Sequence, residues 1–209
     1  MLLAGCGAGW LFGPGERREA WRDLADDRCL ASGVAFRAGE VKRARRVPGR
    51  GACGIPKPLE VASLGGGEVA LDPPSTFACP VVPATDRWLR ETVQPAAIAF
   101  LGSPVAEVEV AASYSCRRRN GVSGARISEH AFGNAIDVSG FTLADGRTIS
   151  VRSGWNGDIA EGLFLREVHG GACGPFTTVL GPDADAHHAD HFHFDLARHS
   201  KDGRYRSCR

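Results

Sequence analysis

Two stretches far apart in the sequence constrain this chain more than any other feature: Ser128-Glu-His-Ala-Phe-Gly-Asn-Ala-Ile-Asp137 and Asp190-His-Phe-His-Phe-Asp195. They offer a His, an Asp and a second His in contexts that suit a catalytic zinc ion. Three protein ligands with an open fourth position make zinc a hydrolytic catalyst rather than a structural staple. Between His130 and Asp137, Gly133 lets the backbone turn or approach closely, and Ala135-Ile-Asp-Val138 reads as a strand. Near the C-terminus, alternation puts Phe192 and Phe194 on one face of a strand and His191, His193 and Asp195 on the other. His191 and His193 then stand roughly 6–7 Å apart along the strand, so one can bind metal while the other contacts substrate or water. The pattern requires ligand atoms of His130, Asp137 and His193 to converge on one solvent-open point.

A hydrolytic metal site also needs a base for its water. Asp190, three residues before His193, is the candidate. A cation or donor must hold a substrate carboxylate or a developing oxyanion. Arg117 and Arg119, in Ser113-Tyr-Ser-Cys-Arg-Arg-Arg-Asn120, offer the planar fork that suits a carboxylate. Asp195 reads as a carboxylate that orients a metal-binding His. Ser128 is either a hydrogen-bond partner near the metal or a loop cap. Glu129 is expected to face solvent, and His169 and His199 to be structural or exposed; His187 and His188 are either contacts behind the metal ligands or to substrate or, the favoured reading, loop residues.

These residues carry a resemblance. The pattern SxHxxGxAxD, followed by a late Asp/Glu-x-x-His, resembles the zinc D-alanyl-D-alanine peptidases of the M15 type, which form a wider group with lysostaphin-type endopeptidases and the hedgehog zinc site. SYSCRRRN, SEHAFGNAIDV, a downstream VLGP and DHFHFDL resemble the bacterial extensin-like protein C-terminal domain family, over residues 53–208. The resemblance implies an α+β, hedgehog/D-Ala-D-Ala peptidase-like fold, with a small central antiparallel β-sheet flanked by helices. It implies one Zn2+ on His130, Asp137 and His193. It places the acid/base at Asp190, where many peptidase relatives carry Glu, and the substrate-binding Arg at Arg117, with Arg119 as runner-up. His191 matches the first His of the HxH in lysostaphin-type relatives, where it helps orient water or stabilise charge. The implied activity is zinc-dependent hydrolysis of amide bonds in peptidoglycan stem peptides or cross-links, of D,D-carboxypeptidase or endopeptidase type. The alternative is a non-catalytic cell-envelope or wall-binding module that retains the fold. The Ser-Pro repeats of plant extensins are missing from the sequence.

The cysteines speak to compartment. Of seven, Cys6 stands apart, and the other six are widely spaced with no CxxC pair, which argues against a Cys-based structural zinc site. Dispersed cysteines fit three disulfides in an exported protein of the periplasm or cell envelope. Six cysteines allow 15 connectivities; pairing neighbours gives Cys29 with Cys53, Cys79 with Cys116 and Cys173 with Cys208. Leu3-Ala-Gly-Cys6 matches a bacterial lipobox, yet only five residues precede Cys6 and no basic n-region or full apolar h-region is present. A late-assigned start, a trimmed chain and a chance match all remain open. No apolar run is long enough to span a bilayer, so a membrane link would run only through a lipid on Cys6.

The remaining chain is ordinary for a globular protein: 209 residues, 43% hydrophobic, net charge +1. That charge gives no argument for nucleic acid, and the expected partner is peptidoglycan, met by a monomer. Residues 1–50 are expected as an N-terminal arm, partly disordered and Gly-rich over 1–15, ahead of a domain at 51–209. A short helix is predicted over 16–31. The basic run over 37–50 is either a patch for anionic wall polymers or lipid headgroups or, the favoured reading, a solvated loop. Residues 84–101 read as a helix that Pro95 should kink or break. Residues 159–168 read as a helix, and 174–180 as a second short one. Strands are predicted at 59–64, 68–71, 105–112, 135–139, 147–151 and 192–196. Helices first and strands clustered late suggest an α+β fold.

Overall fold

The computed structural model describes residues 17–209. The expectations for residues 1–15 and for Cys6 lie outside the described residues. The fold is α+β. In chain order its main elements are α1 (Ala20–Ser32), β1 (Val41–Arg43), β2 (Leu59–Leu64), β3 (Val69–Phe77), α2 (Val81–Trp88), α3 (Gln94–Leu101), β4 (Val105–Ala112), β5 (Ala135–Leu143), β6 (Thr148–Ser150), α4 (Val151–Gly154), α5 (Ile159–Gly171), β7 (Thr178–Leu180), β8 (Phe192–Asp195) and β9 (Ser207–Cys208). The strands form one nine-stranded sheet in the order β1-β2-β3-β4-β5-β8-β7-β9, with β6 also on β5. The sheet is larger than expected, and strands precede α2 as well as follow it. Pairings are antiparallel except β3 with β4 and β7 with β9.

Strand β5 organises the site. One edge pairs with β4; the other is shared lengthwise, residues 135–138 with β8 and residues 140–142 with β6. Ile136, Val138 and Phe141 enter the core, where Phe192 and Phe194 of β8 are fully buried. Trp88 packs edge-on against Phe194 at 5.2 Å and donates from its indole N–H to the Val168 carbonyl at 2.7 Å, which ties α2, α5 and the sheet together. Each buried Phe is worth roughly 1.5–3 kcal/mol. A one-residue slip of β8 would expose both Phe side chains and turn His193 inward, so the core holds the register that the site needs.

Several expectations change. Helix runs from Val81 to Leu101 in α2, a wide π turn over Leu89–Val93, and α3. Pro95 does not break it: the wide turn lies just before Pro95, where a normal α-turn would bring its ring against the preceding carbonyl. Residues 178–180 are strand rather than helix, as β-branched Thr178 and Val179 suit a half-buried sheet. Pro73 and Pro74 lie inside β3, in the gap between its pairing with β4 at 70–72 and with β2 at 75–77, where no ladder donor is needed.

The disulfides are Cys29–Cys79, Cys53–Cys116 and Cys173–Cys208, with Cα separations of 5.9, 5.7 and 6.2 Å, inside the usual range. Only the last matches the neighbour pairing. The first two cross over because the end of β3 brings Cys79 to α1, leaving Cys53 to meet the segment after β4. Residues before 51 are tied to those after it: β1 pairs with β2, and α1 is joined to Cys79. No helix among the described residues is long and apolar enough to cross a membrane.

Candidate metal centre

A short 3-10 turn, Glu129–Phe132, presents His130 and ends at Gly133 with φ 65°. A Cβ there would also lie 2.3 Å from Ile55 Cδ1 and 3.0 Å from the Ala78 nitrogen, so glycine is required for both conformation and space. The chain then enters β5, where Asp137 is the direct cross-strand partner of His193 on β8. Turn and register together bring three donor atoms to one point. His130 Nε2 lies 3.0 Å from Asp137 Oδ1 and 3.1 Å from His193 Nδ1, and His193 Nδ1 lies 2.7 Å from Asp137 Oδ1. Among the described residues this is the one such cluster of His, Cys, Asp or Glu.

Neighbouring groups set the direction of each ring. His130 Nδ1 donates to the Ser113 carbonyl at 2.8 Å, which turns Nε2 toward Asp137. His193 Nε2 donates to Asp195 Oδ2 at 3.1 Å, and Asp195 Oδ1 accepts from the Ala197 amide at 2.9 Å. Carboxylates and carbonyls in this position orient metal-binding imidazoles. Burial disfavours the charged form of Asp137, but His130 and His193 outweigh it and hold its carboxyl far below the usual range. Burial likewise works against charge on His193, yet Asp137 and Asp195, one at each ring nitrogen, carry it up to about 9. The proton on His193 Nδ1 therefore stands among three donor atoms, where a cation would replace it. A tetrahedral ion with bonds of roughly 2.0–2.2 Å needs these atoms only slightly farther apart.

Above the triad opens a cleft of about 470 Å³. Arg117 and His191 both face the second oxygen of Asp137, at 3.9 Å from Nη2 and 3.8 Å from Nε2. Arg119 lines the same cleft. Arg117 follows Cys116, which the bond to Cys53 fixes. Asp190 is placed differently from the other named residues. It is nearly half exposed, does not line the cleft, and accepts from His191 Nδ1 at 2.9 Å and from Arg152 at 3.0 Å. The nitrogen that faces the cleft is His191 Nε2, with Asp190 behind it.

Three further residues shape the surroundings of the triad. His188 fits the alternative to the loop reading: it is buried in the 3-10 turn Ala186–His188, donates from Nδ1 to Asp185 at 2.8 Å, and packs 5.5 Å from His191 and 5.7 Å from His193 between ring centres. Burial lowers its pKa, with Asp185 opposing. Its spacing, three residues before His191, was the signal available. Glu129 does not face solvent: it is buried against Arg22, at 2.6 and 2.9 Å, and accepts from Asn134 at 2.6 Å. Arg209 also lines the cleft.

A family profile described as Extensin-like protein C-terminus matches residues 27–209. The chain belongs to that family. In this extensin-like domain the match begins within α1 and takes in the whole sheet and every residue of the triad. No match was found among curated proteins, and none among solved structures.

Proposed function

We propose that this extensin-like domain is a zinc-dependent peptidase that hydrolyses amide bonds in peptidoglycan stem peptides or cross-links, outside the cytoplasm. The observation that carries the reading is the convergence of His130 Nε2, Asp137 Oδ1 and His193 Nδ1, within 2.7–3.1 Å of one another, beneath a solvent-open cleft. Two His and one carboxylate suit zinc. A bound zinc ion would supply a water of lowered pKa and a Lewis acid for a carbonyl. The chain's own residues would do the rest. His191, with its Nδ1 proton held by Asp190, offers Nε2 as proton acceptor on the cleft side. His188, its pKa lowered by burial, offers a second accepting nitrogen. Arg117 and Arg119 would hold a substrate carboxylate. Asp190 acts in this scheme through His191 rather than on the water itself. The motif resemblance to M15-type peptidases supports the amide and peptidoglycan assignment, and three disulfides support an exported location in the periplasm or envelope.

The test has two arms. Metal analysis of the purified protein is expected to give one zinc per chain, lost in His193→Ala. Digestion of purified sacculi, read by mass spectrometry, is expected to release shortened or uncrosslinked muropeptides. Zinc-loaded protein that leaves muropeptides unchanged would overturn the peptidase assignment in favour of a wall-binding module.

A further inference from the structure

We infer that the cleft continues on its Arg119 side into a second, anion-binding groove that takes an acidic part of the substrate. This rests on reading the cleft as a substrate site. The groove measures about 220 Å³. Arg119 and Glu129 line both the groove and the cleft, so the two are contiguous. Three segments build the groove: Arg17 before α1, Arg119 and Arg126 in the loop ahead of the metal turn, and Arg198 after β8.

The charges in the groove do not balance. Its two carboxylates, Glu19 and Glu129, are both engaged by Arg22, at 2.9 Å from Nε and 2.6 Å from Nη1. Arg198 lies over the Trp21 ring at 4.6 Å, which orients its guanidinium without neutralising it. Arg17, Arg119 and Arg126 are exposed and have no carboxylate partner among the described residues. Four guanidinium groups thus surround a concave space whose acids are already spent. Guanidinium forks bind carboxylate and phosphate oxygens in pairs. A ligand lying across the metal triad with an anionic group on the Arg119 side satisfies both cavities. Substrates with a free carboxylate or phosphate there should therefore bind better than the same substrates with a carboxamide.

Calorimetric titration of the full chain at low salt tests this with two probes, tricarballylate for carboxylates and inorganic pyrophosphate for phosphates. Arg17→Gln/Arg126→Gln removes two groove cations. Arg45→Gln/Arg46→Gln removes the same charge from exposed positions near β1. The groove predicts about tenfold weaker probe binding in the first double variant, the strength of one charged hydrogen bond, and no change in the second. Equal zinc content and melting temperature in all three proteins show that folding is intact; single variants replace the pair if it fails to fold. Tighter tricarballylate points to peptide carboxylates as the natural source, tighter pyrophosphate to a phosphate-bearing polymer. Equal binding by all three proteins, or equal weakening in both doubles, overturns the groove. Intact groove binding with undigested sacculi would instead overturn only the peptidase assignment.

Discussion

Arg22 on α1 and Glu129, the residue before the metal ligand His130, form a two-pronged ion pair that is buried on both sides and spans 107 residues of sequence. The Arg22 guanidinium also stacks 3.9 Å over the Phe132 ring, and Asn134 donates to the same carboxylate. Two residues of the turn that carries His130, Glu129 and Phe132, and the asparagine just after it, are thus referred to one arginine on the first helix. α1 acts as a brace for the metal site.

Removing one partner leaves the other as an uncompensated buried charge, which costs roughly 3–5 kcal/mol. Arg22→Met alone is therefore expected to lower the melting temperature by roughly 10 °C, at the 2–4 °C per kcal/mol typical of chains this long. The double variant Arg22→Met/Glu129→Gln should recover much of the loss. Zinc affinity should fall with the single variant, because the turn that aims His130 loses its anchor. Thermal melting and zinc titration on the same three proteins check both expectations; a double variant no more stable than Arg22→Met would rule out the pair as the cause.

A pH dependence of metal uptake follows from His193. Without metal its pKa stands at about 9, so at neutral pH a cation must displace a proton to enter. Apparent zinc affinity should rise about tenfold per pH unit between pH 6 and 8 and level off above about 9, with one proton released per zinc from this residue. Calorimetry in buffers of different ionisation enthalpy measures that release directly. Asp195→Asn removes the carboxylate behind Nε2 and should weaken zinc by about 10–100-fold while reducing the proton release at neutral pH. Affinity that stays flat from pH 6 to 8 would exclude a protonated His193 at the site.

The placement of Asp190 behind His191 separates their roles. If His191 moves the proton, His191→Gln should cost about 10²–10⁴ in muropeptide hydrolysis. Asp190→Asn should cost about tenfold, the worth of one charged hydrogen bond to an exposed carboxylate. Neither should lose zinc, since neither residue is in the triad. An Asp190→Asn enzyme as damaged as His191→Gln would mean that the carboxylate itself meets the water.

Much of this site is legible in the sequence, for a local reason. The alternation of Phe192, His193, Phe194 and Asp195 is set by burial, and a period of two is visible in four residues. The His130–Asp137 spacing, with Gly133 between, likewise encodes a turn into a strand. What stayed hidden depends on partners far away in sequence. Glu129 reads as solvent-facing because Arg22 lies 107 residues earlier, and Cys53 reads as the partner of Cys29 because nothing local reveals that β3 carries Cys79 back to α1. The motif names Asp190 as the base, while the direction of its carboxylate depends on Arg152, 38 residues upstream. Residues 174–180 carry no clear strand signal because Gly174 and Pro175 break the pattern and only three residues pair.

A second pH effect concerns stability rather than metal. Asp26 on α1 is buried beside the Cys29–Cys79 disulfide, where its Oδ1 accepts the Cys79 amide at 3.1 Å. Burial raises its pKa to about 6, against the opposing pull of Arg18. Between the ordinary carboxylate value near 4 and about 6 the folded chain therefore holds a proton that the unfolded chain has released. Folding stability from this group must then fall as pH rises through that window. Asp26→Asn keeps an oxygen for the Cys79 amide but cannot ionise. The variant should match the wild type below pH 4, gain on it between pH 4 and 6, and hold a constant lead above about pH 6.5. Subtracting the two melting curves over pH 3.5–7.5 isolates this group from every other acid. A lead that is the same at pH 3.5 and 7.5 would show that Asp26 titrates alike in the folded and unfolded chains and would overturn the raised pKa.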